Sequence, residues 1–127
     1  MRNSKCTVLI VEDEFIIAMS LQEKLKSQGY NVPVIASSGE AAVKFFNEYN
    51  PQIILMDVVL DGSMDGIDAS MQIRKKSRVP ILFCSAYSDE QTMERMKNVS
   101  ISDFILKPIS EHELEEKLQS FINSTPV

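Results

Sequence analysis

The run Ile53-Ile54-Leu55-Met56-Asp57 carries four apolar residues directly onto a carboxylate. A continuous apolar run of this length is typical of a strand buried on both faces, as in a parallel sheet. An acid at the end of such a strand emerges at the carboxyl edge of the sheet, where open α/β folds collect their binding sites. We therefore interpret the run as a central strand and Asp57 as a candidate functional residue.

The segments around this run alternate short apolar runs with longer helical patterns. Strands are predicted at residues 7–11, 32–36, 53–56, 80–85 and 103–106. Helices are predicted at residues 14–28, 37–49 and 65–76, and two more begin at residues 88 and 110. The order is strand then helix, five times, which is typical of an α/β fold with a parallel sheet and right-handed crossovers. We expect three layers, with helices on both faces of the sheet.

The helices carry start signals and apolar stripes of their own. Three of them open on the Ser-x-x-Glu/Gln pattern of a capping box, at Ser37, Ser88 and Ser110, and Asp65 is suited to cap the third helix. The predicted buried stripes are Ile17, Leu21 and Leu25, then Ala42, Phe46 and Tyr49, then Met93, Met96 and Val99, and finally Leu114, Leu118, Phe121 and Ile122. This consistency favours one domain over residues 1–127, with a folded core at about 6–123 and a frayed tail.

The composition is that of an ordinary globular protein. Of 127 residues, 44% are hydrophobic and 24% charged, which suits one core. The net charge of −5 argues against nonspecific nucleic-acid binding, which needs a basic face. The apolar runs are too short for a membrane helix or a signal peptide, so we expect a cytoplasmic protein without membrane contact. Cys6 and Cys84 lack metal-binding spacing and are expected to be buried free thiols.

Polar side chains follow four of the predicted strands, at the point where each strand ends. Glu12 and Asp13 follow the first strand, Asp57 closes the third, Ser85 closes the fourth and Lys107 follows the fifth. Because the carboxyl ends of parallel strands meet at one edge of the sheet, we expect these side chains to lie close together.

Three carboxylates crowded at one edge repel each other unless a cation joins them. Mg²⁺ prefers oxygen ligands, keeps several waters and uses few protein carboxylates. Glu12, Asp13 and Asp57 are therefore predicted to hold Mg²⁺, with a backbone carbonyl near Val59 completing the protein ligands. The ion and the Lys107 ammonium would neutralise an incoming phosphoryl group.

Asp57 is the best candidate for a nucleophile, because the central strand aims it into the middle of the site. Phosphoryl transfer depends mainly on positioning and charge neutralisation, so this small set of groups is sufficient. A carboxylate is already ionised and needs no general base. Ser85 is placed to hydrogen-bond a phosphoryl oxygen.

Five short motifs in this order resemble the receiver domains of two-component signalling, over essentially the whole chain. The matching pieces are Val11-Glu12-Asp13-Glu14, Leu55-Met56-Asp57-Val58, Met64-Asp65-Gly66-Ile67, Ser85-Ala86-Tyr87 and Lys107-Pro108. The resemblance implies a flavodoxin-like fold with strand order 2-1-3-4-5. It also implies that Asp57 is the phosphoacceptor, that Glu12 and Asp13 bind Mg²⁺, and that Ser85 and Lys107 sense the phosphoryl group.

Such a domain accepts its phosphoryl group from a phosphohistidine, on a sensor histidine kinase or a histidine phosphotransfer protein. By the same resemblance it then switches conformation to act on a downstream effector, with a weak or phosphorylation-dependent dimer as one arrangement. It assists its own phosphorylation and dephosphorylation but is not a conventional enzyme.

Three features depart from the usual receiver pattern. The switch aromatic that works with Ser85 corresponds to Phe104, where many members have tyrosine, so only ring packing is available there. The loop after Asp57 is one residue longer than the usual form. The segment at 99–102 lacks the small residues common before the last strand.

Other classes fit the sequence less well. A phosphatase that forms an aspartyl phosphate needs a second acid two residues after Asp57, where Val59 stands. The glycine motifs of nucleotide hydrolases and of dinucleotide-binding folds are absent. A flavin-binding relative of the fold needs a phosphate loop where Glu12 and Asp13 stand. A pseudo-receiver that is never phosphorylated stays open, and the only histidine, His112, is not a candidate phosphodonor.

Overall fold

The computed structural model describes residues 6–86 and 89–124, which form five strands and five helices. The strands are β1 (Val8–Val11), β2 (Ile35–Ala36), β3 (Ile53–Asp57), β4 (Ile81–Ser85) and β5 (Ser102–Leu106). The helices are α1 (Phe15–Ser27), α2 (Gly39–Tyr49), α3 (Gly66–Arg74), α4 (Glu90–Lys97) and α5 (Glu111–Ser124).

All five strands are parallel and lie in the order β2-β1-β3-β4-β5. Val11 pairs with Met56, Asp57 with Cys84, and Ser85 with Leu106. The ends of β1, β3, β4 and β5 therefore lie side by side at one edge. This confirms the predicted fold class and strand order.

The strands bury alternate residues on opposite faces of the sheet. On one face, Leu9, Ile54 and Phe83 pack with apolar residues of α2, α3 and α4. On the other face, Ile10 and Leu55 pack with apolar residues of α1 and α5. The central strands β1, β3 and β4 are thus buried on both sides, which is why their sequences are almost continuously apolar rather than alternating.

Some boundaries and caps differ from the prediction. β2 covers only two residues instead of 32–36, because Pro33 has no N–H to donate to the ladder. The cap of α2 is Ser38, whose side chain accepts from the Ala41 N–H, so the capping box predicted at Ser37 is wrong by one residue. The side chain that caps α4 belongs to Asp89, and the predicted cap Ser88 lies outside the described residues.

The other two predicted caps are confirmed. The Asp65 side chain accepts a hydrogen bond from the Asp68 N–H at 2.8 Å, and the Asp68 side chain accepts one from the Asp65 N–H at 3.1 Å. The Ser110 hydroxyl accepts from the Glu113 N–H at 3.3 Å. The third and fifth helices therefore begin where local sequence places them.

The predicted apolar stripes are mostly buried or partly buried, and two of their residues are exposed. Ile17 is 37% exposed, and Ala18 takes its place beside Leu21 and Leu25 in the core. Tyr49 is 42% exposed and meets the Phe45 ring edge-on at 5.9 Å between centroids. Both lie near a helix end, where a small rotation of the helix moves a marginal position from the core to solvent.

The turn before β5 contains a residue in the left-handed region. Ile101 has φ 54°, a conformation that a β-branched residue adopts only when its surroundings require it. Its carbonyl accepts from the Ile81 N–H at 3.1 Å and from Arg74 Nη2 at 3.2 Å. These bonds hold the turn in the absence of the small residues that usually occupy such a turn.

Candidate functional site

Two neighbouring strands deliver a cluster of carboxylates to one edge of the sheet. Glu12 follows Val11 directly, Asp57 follows Met56 directly, and Val11 and Met56 are register partners. Glu12 and Asp57 are only 3% and 6% exposed, while Asp13 is half-buried. One oxygen from each of the three carboxylates lies within 4.8 Å of the others.

The Lys107 side chain reaches this cluster from the end of β5. Its Nζ donates to Glu12 Oε1 at 3.0 Å and to Asp57 Oδ2 at 3.2 Å. The Lys107 N–H donates to the Ser85 carbonyl at 2.8 Å. One residue therefore links the ends of β1, β3 and β4. The Lys107–Pro108 peptide bond is cis.

The two buried carboxylates have pKa values shifted in opposite directions. Burial, together with a hydrogen bond and the negative charge of Glu12, raises the pKa of Asp57 to about 7 against the opposing effect of Lys107. Burial also opposes ionisation of Glu12, but hydrogen bonds from Asp57, Lys107 and the Glu14 N–H hold its pKa below the usual range. One ammonium group cannot balance three carboxylates, so a bound dication suits this donor set.

The loop between β3 and α3 is fixed to the cluster by backbone hydrogen bonds. The Val59 N–H donates to Asp57 Oδ1 at 3.3 Å, and the Asp61 N–H donates to Asp13 Oδ2 at 3.1 Å. Farther along, the Ser63 hydroxyl donates to Glu40 of α2 at 3.1 Å. The extra length of this loop is thus accommodated without displacing the acids. Val59 as a metal ligand through its carbonyl stays a prediction.

Ser85 and Phe104 lie on the two strands beyond Asp57. Ser85 is 3% exposed and follows Cys84, the register partner of Asp57. Phe104 pairs with Phe83 and packs at the margin of the core, with Lys117 Nζ 5.7 Å from the centre of its ring. Their placement is compatible with the predicted switch, which stays a prediction. Tyr87 of the Ser85-Ala86-Tyr87 motif lies outside the described residues.

Two features near the site were not predicted. Arg95 of α4 forms a two-pronged ion pair with Asp65, at 2.8 and 3.1 Å, and also reaches Asp68 at 3.1 Å. Partners 30 residues apart leave no local signal in the sequence. The other feature is an apolar surface at the start of α1, defined by Phe15, Ile16 and Met19, which are 69%, 83% and 43% exposed.

The apolar surface of α1 borders a groove whose lining includes Lys107, the residue that pairs with Glu12 and Asp57. Ile16 and Ile17 line one side of the groove, and Lys107, Pro108 and Ile109 line another. Exposed large side chains in a group are typical of a contact surface for another protein. The consecutive large apolar residues Phe15, Ile16 and Ile17 at the start of α1 were the sequence feature that could have predicted this surface.

Residues 8–119 match the model of a family described as response regulator receiver domain. This match covers most of the chain, and the chain belongs to the response regulator receiver family.

Individual relatives agree with this assignment. The chain is 36% identical to the transcriptional regulatory protein PdtaR of Mycobacterium tuberculosis over 103 residues, 81% of this chain and 50% of PdtaR. It is 31% identical to the probable transcriptional regulator ycf27 of Cyanophora paradoxa over 125 residues, 98% of this chain and 52% of that protein. The chain spans about half the length of the curated relatives it matches.

A solved structure supports the same fold. The signal receiver domain of a modulated diguanylate cyclase from Desulfovibrio desulfuricans superimposes with a TM-score of 0.85 at 32% identity, over 92% of this chain and 93% of that one. Within residues 6–86 and 89–124, no helix has the length and apolar character needed to cross a membrane.

Proposed function

We propose that this chain is a phosphoacceptor domain of a two-component phosphorelay. It takes a phosphoryl group from a phosphohistidine onto Asp57 in a Mg²⁺-dependent reaction and then changes conformation. The observation that carries the proposal is the buried carboxylate pair of Glu12 and Asp57, bridged by Lys107 at 3.0 and 3.2 Å, with Asp13 close beside it.

Glu12, Asp13 and Asp57 are the side chains that would hold Mg²⁺. The ion would supply positive charge that neutralises the carboxylates and the entering phosphoryl oxygens. Three oxygen donors within 4.8 Å, paired among the described residues with the single ammonium group of Lys107, are the observation that fits this ion. Since Glu12 and Asp57 are almost fully buried, their charges act in a medium that screens them poorly.

In the transfer, an Asp57 carboxylate oxygen forms a bond to phosphorus while the bond from phosphorus to the donor imidazole nitrogen breaks. The electron pair of that bond stays on the imidazole. Lys107 holds Asp57 Oδ2 at 3.2 Å and places its ammonium where the phosphoryl charge arrives. The burial of Asp57 at the strand end limits access of water to the acyl phosphate.

Two further parts of the proposal concern partners. A sensor histidine kinase or a histidine phosphotransfer protein is the donor, and the exposed apolar surface of Phe15, Ile16 and Met19 beside the site gives it a contact area. Ser85 and Phe104 carry the change of state toward β4, β5 and a downstream effector. In this reading the domain is a regulated acceptor in the cytoplasm rather than a conventional enzyme.

The test is the intact mass of the protein after incubation with acetyl phosphate and Mg²⁺. We expect one labile phosphoryl adduct on the wild type and on Glu48→Gln, a control that removes an exposed acid of α2. Asp57→Asn should remain unmodified. If the wild type gains no adduct and binds no Mg²⁺, the proposal is wrong, and a pseudo-receiver that acts by protein contact alone becomes the better interpretation.

A further inference from the structure

A single guanidinium group ties α4 to the start of α3. Arg95 Nη1 donates to Asp65 Oδ2 at 2.8 Å, and Nη2 donates to Asp65 Oδ1 at 3.1 Å. Nη2 also donates to Asp68 Oδ1 at 3.1 Å. Asp65 and Asp68 form the capping box of α3, so Arg95 is ion-paired with the residues that fix where this helix begins.

The start of α3 packs directly against the backbone of Asp57. The Gly66 N–H donates to the Val58 carbonyl at 2.9 Å. A Cβ atom at Gly66 would overlap the Asp57 carbonyl oxygen, so the two backbones are in close contact. Arg95 therefore holds the residue immediately before this contact.

The loop between Asp57 and Asp65 is also bonded to the carboxylates themselves. The Val59 N–H donates a hydrogen bond to Asp57 Oδ1, and the Asp61 N–H donates one to Asp13 Oδ2. The orientation of two acids of the cluster thus depends on the position of the loop. The loop in turn is fixed at its far end by the bonds that Asp65 makes.

We propose that Arg95 is a positioning residue, which holds the loop against the carboxylate cluster and thereby sets the affinity of the site for Mg²⁺. This inference rests on the proposed function, since it takes the cluster as the metal site. Arg95 and Asp65 side chains are 43% and 31% exposed. Because water screens such a pair, the effect of losing it on Mg²⁺ binding should be modest, about threefold.

The sign of the effect separates positioning from simple charge. Arg95 is a cation, so its removal by itself makes the potential at the acidic cluster more negative and strengthens Mg²⁺ binding. A positioning role predicts the opposite, because the loop and the acids it orients become less ordered. Lys97→Met is the matched control, since it removes one exposed positive charge from the same helix.

The experiment is a calorimetric titration of each purified protein with MgCl₂. We expect Arg95→Met to bind Mg²⁺ about threefold more weakly than the wild type, and Lys97→Met to bind as tightly as the wild type or slightly more so. Arg95→Lys should fall between Arg95→Met and the wild type, because one ammonium cannot replace a two-pronged guanidinium. Urea unfolding of each variant checks that it is folded.

Two results would overturn the inference. Unchanged or tighter binding in Arg95→Met contradicts it, and so does equal weakening in Lys97→Met. Lower stability of Arg95→Met with unchanged Mg²⁺ affinity would reduce Arg95 to a structural link between two helices. If Arg95→Met does not fold, Arg95→Lys decides by the same criteria. Failure of the wild type to bind Mg²⁺ would instead remove the proposed function.

Discussion

Glu12 and Asp57 are two buried carboxylates that share one ammonium group, and this arrangement lowers the free energy of unfolding. Burial and the negative charge of Glu12 both raise the pKa of Asp57. A site that destabilises the folded protein for the benefit of binding is common at functional positions. The cost should be visible in the stability of the metal-free protein.

Replacing Asp57 with asparagine should stabilise the protein in the absence of Mg²⁺. The unfolded chain ionises Asp57 near its ordinary pKa of 3.8, whereas the folded protein does so only at about 7. The folded state therefore loses stability as pH rises through this window, and the loss is complete above it. We expect Asp57→Asn to raise the free energy of unfolding by about 2 kcal/mol at pH 8, and by less at pH 5.5.

Urea unfolding with a chelator present measures both values. Glu48→Gln, which removes a solvated acid of α2, should match the wild type at both pH values. An Asp57→Asn variant that is less stable than the wild type at pH 8 would show that Lys107 fully compensates the buried charge.

At the scale of elements, α3 begins in contact with the end of β3, and Gly66 is the reason it can do so. A methyl group at this position meets the Asp57 carbonyl oxygen and the Met56 side chain. Backbone atoms cannot rotate away as a side chain can. Gly66→Ala should therefore lower the free energy of unfolding by about 2 kcal/mol or more, from overpacking.

Chemical denaturation of Gly66→Ala checks this expectation, and its Mg²⁺ affinity is a second readout. Because the clash involves the backbone of the acceptor residue, weaker Mg²⁺ binding should accompany the loss of stability. Stability equal to that of the wild type would show that α3 can move away from β3 freely.

The elements also show which predictions a sequence supports. The run at 53–57 predicted both a buried strand and the position of its acid, because apolar continuity and strand ends are local properties. The helix cap at Asp65 was predictable for the same reason, because capping depends on residues within one turn of the helix. The ion pair of Asp65 with Arg95 was not, since the two lie on different elements and only the packed fold brings them within 2.8 Å.

Boundary errors have similarly specific causes. Pro33 shortened β2, and a cap moved from Ser37 to Ser38 because adjacent serines offer the same chemistry to the helix start. At Ile101 the fold imposes a backbone conformation that the residue itself disfavours. The positions of Glu12, Asp57 and Ser85 were not affected by such errors, because each lies at or just beyond the end of a strand set by a long apolar run, and their roles stay predictions.

At the scale of the whole molecule, the sheet separates two apolar cores and presents the acidic edge at one end. A ligand that binds this edge in the folded state and does not bind the unfolded chain raises the free energy of unfolding of the whole domain. At a Mg²⁺ concentration one hundred times its dissociation constant, we expect the free energy of unfolding of the wild type to rise by about 2.7 kcal/mol.

Thermal unfolding with Mg²⁺ and with a chelator measures this shift. The midpoint temperature should rise with Mg²⁺ for the wild type and for Glu48→Gln, and by clearly less for Asp57→Asn, which lacks one carboxylate of the cluster. An equal rise in all three proteins would place the ion elsewhere on the acidic surface.

The bonds of Lys107 have a mechanical consequence for a chain that carries a phosphoryl group. Its ammonium lies against β1 and β3, while its own N–H is attached to the last carbonyl of β4. Under the proposed function, the carboxyl group of Asp57 loses its own negative charge when it becomes an acyl phosphate, and the ammonium would move toward the phosphoryl oxygens. Because the backbone N–H of Lys107 is hydrogen-bonded to the Ser85 carbonyl, such a displacement would be transmitted to the end of β4. Lys107 would thereby couple the modified acid to the neighbouring strand.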